Sequence, residues 1–243
     1  MDNIDAVTFD LWQTLIIDNR ELGRSRATRR LEKTSKCLEA SGYHFDYARI
    51  QEAYRQCYRI CREIHLDGRD YSFDHQVLIF IENIGNGLPQ ELAQGVIETI
   101  NYWYGEAFFD FPPAVDPTAY DVLRRIKDSG YKIGLISNTG MTPGRLFRRY
   151  LGENDLLDFF DVLTFSDEVL LCKPSVAIFD LTVDGLGSSP GRSLHVGDHV
   201  KNDIFGANNA GMKSVLLGTA EGQEMVANPD YRIMDLKELY KLL

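Results

Sequence analysis

The spacing of apolar and polar positions changes period twice along the chain. Residues 6–10 (AVTFD) are a short β-branched and aromatic run closed by an acid, which predicts a buried strand delivering a carboxylate at its C-terminal end. From about Arg20 to Phe109 a helical period takes over. Three stretches there close on the glycine expected just past a helix end: RATRRLEKTSKCLEASG on Gly42, DYARIQEAYRQCYRICREIHLDG on Gly68 and FDHQVLIFIENIG on Gly85. Pro89 opens a fourth, PQELAQGVIETINYWYGEAFF, in the place where proline suits a first helical turn. After the break FPPAVDP (111–117), strand and helix signals alternate: a helix over 118–129 ending at Gly130, and strands at 131–137, 161–165, 193–197 and 213–217. Strand, helix, strand repeated in this way implies right-handed crossovers and a parallel sheet covered on both faces. The expected fold is α/β, a doubly wound (Rossmann-like) parallel sheet built from 1–16 and 113–243 and interrupted by an all-helical insert over 17–112.

Composition narrows the classes. The chain has 243 residues, 44% of them hydrophobic, with 26 Lys+Arg against 36 Asp+Glu and a formal net charge of -10. That balance excludes disordered and disulfide-scaffold readings and argues against a general nucleic-acid or anionic-membrane binder. No apolar run reaches the roughly 18–20 residues of a membrane span. The segment MDNIDAVTFD places acids where a signal peptide has bases, so a cytoplasmic protein is expected. The four cysteines form no CxxC pair, and Cys57 and Cys61 share a helical face with Tyr54 and Tyr58, which points to core packing by reduced thiols. One segment opposes the overall charge. Arg20 to Lys36 holds seven basic residues and two acids, either a solvated helix face or a surface that attracts an anionic substrate.

In doubly wound sheets ligands sit beyond the carboxyl ends of the strands. The residues there are Asp10, Ser137 with Asn138, Lys173 beyond the third strand, and Asp198 with Asp203 beyond the fourth. Each has an ordinary structural use: a serine can satisfy a turn, a lysine can be solvated and an aspartate can cap a helix. Gathered at one sheet edge, the carboxylates require a cation, and hard oxygen ligands suit Mg²⁺. A lysine and a hydroxyl facing them suit a phosphoryl group.

The runs VTFDLWQTL (7–15), SNT (137–139), KPSVAIF (173–179) and VGDHVKNDIFGANNAGM (196–212) resemble, in order, the four motifs of the haloacid dehalogenase (HAD) superfamily of hydrolases. The helical insert after the first motif resembles the cap of the family's subfamily I. The resemblance implies Asp10 as a nucleophile forming a covalent aspartyl intermediate, with Ser137 and Lys173 binding the transferring group. It implies Mg²⁺ held by Asp10, the main-chain oxygen of Trp12, Asp198 and Asp203. Asn138 would offer its backbone N–H to the substrate, Thr14 would support the loop, and the cap would select a small phosphorylated metabolite. The resemblance leaves a monomer and a homodimer equally open.

The family's phosphatases place a second aspartate two positions after the nucleophile, where it protonates the leaving oxygen. Here that position is Trp12, whose indole cannot do so, removing a contribution of about 10²–10⁴ in rate unless His199 or an acid of the cap replaces it. The family's dehalogenases carry an aromatic residue at this place but need no metal. Relatives that cleave phosphonoacetaldehyde use a cap lysine, for which Lys33 and Lys36 lack the surrounding pattern. The paired Asp198 and Asp203 favour an Mg²⁺-dependent phosphatase over a 2-haloacid dehalogenase, whose substrate carboxylate would need a base from the Arg20 to Arg30 region. A catalytically impaired binding protein is the third reading.

Overall fold

The computed structural model describes residues 3–243; Met1 and Asp2, part of the segment read above for export, lie outside them. The chain runs β1 (Ala6–Phe9), β2 (Ile16–Ile17), α1 (Arg20–Ala40), α2 (Tyr47–His65), α3 (Phe73–Ile84), α4 (Leu88–Glu91), α5 (Gln94–Asp110) and β3 (Ala114–Val115). It continues with α6 (Ala119–Asp128), β4 (Lys132–Ser137), α7 (Gly144–Glu153), β5 (Val162–Phe165), α8 (Ser166–Val169), α9 (Val176–Gly185) and β6 (Ser193–Gly197). A π-helical turn (Val200–Phe205), α10 (Gly206–Asn209), β7 (Lys213–Leu217) and β8 (Tyr231–Ile233) complete the sheet.

The six-stranded sheet has the order β5-β4-β1-β6-β7-β8 and every pairing in it is parallel. Strand β1 therefore lies where the order reverses, the position at which open α/β sheets bind ligands. Both faces are covered. Val7, Phe9, Leu135 and Val196 pack against Val122, Leu123 and Ile126 of α6 and Phe147 and Leu151 of α7. On the other face Ile136 packs with Ile178, Phe179 and Val183 of α9. Helix α6 shows why: its buried residues Ala119, Val122, Leu123 and Ile126 recur at helical spacing.

The helical segment has a core of its own, with Leu38, Cys57, Phe80, Ile81, Ile100 and Tyr104 at its centre. The side chain of Asn19 caps α1, accepting from Leu22 N–H at 2.9 Å, and Gly42 ends the helix region with φ 85°. The expected fourth helix is two helices. Leu92 and Ala93 are extended between α4 and α5, which buries Leu88 and Leu92 against the α3 side of the core. Strands β2 and β3 pair antiparallel, and β8 adds an edge; none of the three was expected, because two or three residues carry no usable period.

The basic segment is only partly a solvated face, because Arg26 and Arg30 are buried. Arg26 ion-pairs with Asp18 and donates to Phe111 O at 2.8 Å, joining both chain crossings between the helices and the sheet. Arg30 donates to Tyr104 O at 2.8 Å and to Met141 O at 2.9 Å in the loop after β4. A second junction lies at 66–72. Asp70 accepts from Ser166 Oγ at 2.6 Å, and Cys172 N–H donates to Gly68 O at 3.0 Å. Gly68, at φ 70°, is obligatory there because a Cβ would stand 2.8 Å from that of Ser175. No helix of the described residues is long and apolar enough to cross a membrane.

Candidate active site

Asp10 follows the last residue of β1 and is 6% exposed; its N–H donates to Val196 O at 2.9 Å, which fixes the loop that carries it to β6. Lys173, in the segment between α8 and α9 and preceding a cis proline, is equally buried. Its Nζ donates to Asp10 Oδ1 at 2.5 Å and to Asp203 Oδ1 at 2.7 Å. The side chain of Asn138 holds this lysine in place: Nδ2 donates to Lys173 O at 2.9 Å, and Oδ1 accepts from Lys173 N–H at 2.8 Å. Asn138, expected to contribute through its backbone, thus also has a positioning use for its amide. Thr14 Oγ1 donates to Asp10 Oδ2 at 3.5 Å.

Asp203 is held from three sides, by Lys173, by His195 Nε2 at 3.3 Å and by the His199 N–H at 2.8 Å. It can come this close to β6 because Gly197 has no side chain; a Cβ there would stand 2.6 Å from Asp203 Cβ. Burial lowers the pKa of His195 against the pull of Asp203. His195 Nε2 lies 3.3 Å from Asp203 Oδ1 and Nδ1 lies 2.8 Å from the Thr8 hydroxyl. Thr8, His195, Asp203, Lys173 and Asp10 therefore form one buried chain. Sequence reading missed Thr8 and His195, although a histidine inside the apolar strand SLHVG, two residues before the Gly-Asp pair, was an available signal.

Oxygen atoms of Asp10, Asp198 and Asp203 all lie within 4.8 Å of one another. Crowding three carboxylates round one ammonium is costly. Burial pushes Asp10 up to about 6 against the pull of Lys173, and burial together with Asp10 and Asp203 pushes Asp198 up to about 8. Burial acts on Asp203 in the same sense, but Lys173 and His195 overcome it and hold its carboxyl well below the usual range. Burial would discharge Lys173, yet its two carboxylates raise it. This donor set, all hard oxygens with excess negative charge, fits a divalent cation. Ser137 Oγ, fully buried at the end of β4, has no hydrogen-bond partner among the described residues, the condition of a donor free for a ligand.

Other expected residues lie differently. The Trp12 ring is half-buried and packs edge-on against Phe108 (centroids 6.3 Å apart) and Phe147 (5.4 Å), with the Arg26 guanidinium 5.7 Å from its centroid. Gln13 then turns the chain at φ 55°. His199 is exposed and its Nδ1 accepts from Lys201 and Asn202 N–H at 3.2 Å each, a cap for the following turn. Lys33 Nζ lies 3.8 Å from the Trp103 ring centroid, and Lys36 is exposed.

A family model described as haloacid dehalogenase-like hydrolase matches residues 4–211. The chain belongs to the haloacid dehalogenase-like hydrolases. This hydrolase is 30% identical over 165 residues, 68% of its length and 69% of the relative's, to a glyceraldehyde 3-phosphate phosphatase of Methanothermobacter thermautotrophicus. It is 27% identical to one of Pyrococcus furiosus, over 100% of this chain and 94% of that one. A solved 2-haloacid dehalogenase of Pseudomonas syringae pv. Tomato superposes with a TM-score of 0.71 at 20% identity, covering 98% and 97% of the two chains; that likeness speaks for the shared fold alone.

Proposed function

We propose that this hydrolase is an Mg²⁺-dependent phosphoric monoester hydrolase acting on a small phosphorylated metabolite in the cytoplasm. The observation that carries the reading is the set of three mutually close carboxylates with Lys173 bridging two of them. A metal-free displacement of halide has no use for two further acids beside its nucleophile. The two phosphatase relatives support the same class, and a phosphorylated three-carbon aldehyde is a reasonable first substrate to offer.

In this reading an Asp10 carboxylate oxygen attacks phosphorus, the P–O ester bond breaks, and the leaving oxygen departs with the bonding electrons. Water then attacks the aspartyl phosphate, releasing phosphate and regenerating Asp10. Lys173 holds the free Asp10 oxygen and offsets the charge of the incoming phosphate. The Ser137 hydroxyl and the Asn138 backbone N–H bind phosphoryl oxygens. Asp10, Asp198, Asp203 and the main-chain oxygen of Trp12 would hold the cation, which would supply positive charge where two anions must approach. The helices over 17–112 serve as a cap whose junctions at Arg26, Arg30 and Asp70 orient it over the site and whose surface selects the substrate.

Trp12 is the argument for a 2-haloacid dehalogenase. Against it, Arg26 and Arg30, two candidates for holding the substrate carboxylate, are committed to Asp18, Phe111, Tyr104 and Met141. One assay separates the readings: phosphate release from phosphate monoesters and halide release from 2-chloropropionate, each with Mg²⁺ and with EDTA. Phosphate release that EDTA abolishes is expected; halide release insensitive to EDTA would overturn the proposal, and neither product would favour a binding protein.

A further inference from the structure

The carboxylate of Asp198 differs from its two neighbours. Asp10 is gripped by Lys173, and Asp203 by Lys173 and His195. Among the described residues no other side chain donates to the Asp198 carboxylate, so what carries it to the site is the turn of main chain it stands on. That backbone is held from outside. Gln223 Nε2 donates to Asp198 O at 2.9 Å, and Gln223 Oε1 accepts from Val200 N–H at 2.8 Å. One planar amide thus closes both ends of the turn at 198–200.

Gln223 is carried by the 218–230 connection between β7 and β8, and that connection is itself seated. Ala220 and Ala227 pack on Val200, Ile204 and Leu216, and Asn228 O accepts from Asn208 Nδ2 at 2.9 Å. The residue is half-buried and lies beyond residue 211, where the match to the family model ends. None of the four motifs includes it.

We infer that Gln223 is a positioning residue for the cation: by fixing the main chain on both sides of His199 it aims the Asp198 carboxylate at the site shared with Asp10 and Asp203. This rests on the reading of that triad as an Mg²⁺ site. Outer partners that orient metal ligands typically account for 10–100-fold in affinity, and two hydrogen bonds to one short turn place Gln223 near the lower end.

The test is calorimetric titration of MgCl2 into the metal-stripped full chain, for wild type, Gln223→Ala and Gln223→Met, beside thermal unfolding without metal. Methionine keeps the length of the side chain and removes both hydrogen bonds. About tenfold weaker Mg²⁺ binding is expected in both variants, with an unchanged metal-free unfolding midpoint. Wild-type affinity in Gln223→Met would overturn the inference, and so would a fall in the metal-free midpoint that parallels the lost affinity, since that marks a merely structural role. Absence of Mg²⁺ binding by wild type would instead remove the cation site itself.

Discussion

At the scale of single residues, Asp10 and Asp198 are legible in the sequence because each directly follows a strand, and Lys173 and Asp203 because the segments that follow strands β5 and β6 lead to the same edge. Asp10, Lys173, Asp198 and Asp203 converge as that rule implies. Thr8 and Gln223 are not legible, and His195 is marked only by its place inside an apolar strand, which does not tell its partners. Their use depends on which strand neighbours which and on where the 218–230 connection lies, and neither is written in local spacing. Gly197 is an intermediate case, recognisable within a motif but explained only by the approach of Asp203. Gly197→Ala should displace Asp203, lowering turnover at least tenfold and stability by about 1–3 kcal/mol as overpacking does, measurable by steady-state kinetics and urea unfolding. Trp12 carries a second prediction. With its indole packed on Phe108 and Phe147 and no acid in its place, the proposed phosphatase reaction would release leaving oxygens unprotonated, so aryl and acyl phosphates should turn over about 10²-fold or more faster than alkyl phosphates of similar size. Equal rates across a leaving-group series would reveal another acid.

At the scale of elements, periodicity and glycine stops located α1, α2 and α3, because amphipathic stripes and glycines near helix ends are local signals; Gly42 and Gly68 are left-handed, whereas Gly85 is extended. The break at Leu92 and Ala93 was not local. Leucine, alanine, glutamine and glutamate all favour helix, and tertiary burial of Leu88 and Leu92 overrides them. The basic segment shows the same limit, since charge alone does not tell a solvated arginine from one that ties two elements together. Arg26 does the latter, bonding Asp18 before α1 and Phe111 after α5 while covering the Trp12 ring. Arg26→Met should leave the half-buried Asp18 without its partner and cost about 1–3 kcal/mol, seen as a lower denaturant midpoint. Wild-type stability in that variant would show that the guanidinium does not hold the junction.

At the scale of the whole molecule, the site makes stability depend on pH in a direction fixed by its carboxyls. Asp10 and Asp198 are raised from 3.8 to about 6 and about 8 in the metal-free protein. A raised carboxyl binds its proton more tightly when folded, so no stability is lost below the unfolded value, and the loss accumulates as pH climbs through the folded value. Asp203, held low, changes nothing in that window, and His195, held below its ordinary value, acts there in the opposite sense to the two raised carboxyls. The metal-free unfolding midpoint should therefore fall between about pH 5 and 8, and saturating Mg²⁺ should reverse the fall, because the ligands must be deprotonated to bind it. A midpoint independent of both pH and Mg²⁺ would show that the three acids are not coupled. The central claim, phosphoryl transfer through Asp10 assisted by a cation, is tested most directly by hydrolysis of p-nitrophenyl phosphate with and without Mg²⁺, with Asp10→Asn in parallel. A rate that requires Mg²⁺ and disappears in Asp10→Asn is predicted; a rate that persists in Asp10→Asn or without any divalent cation would contradict it.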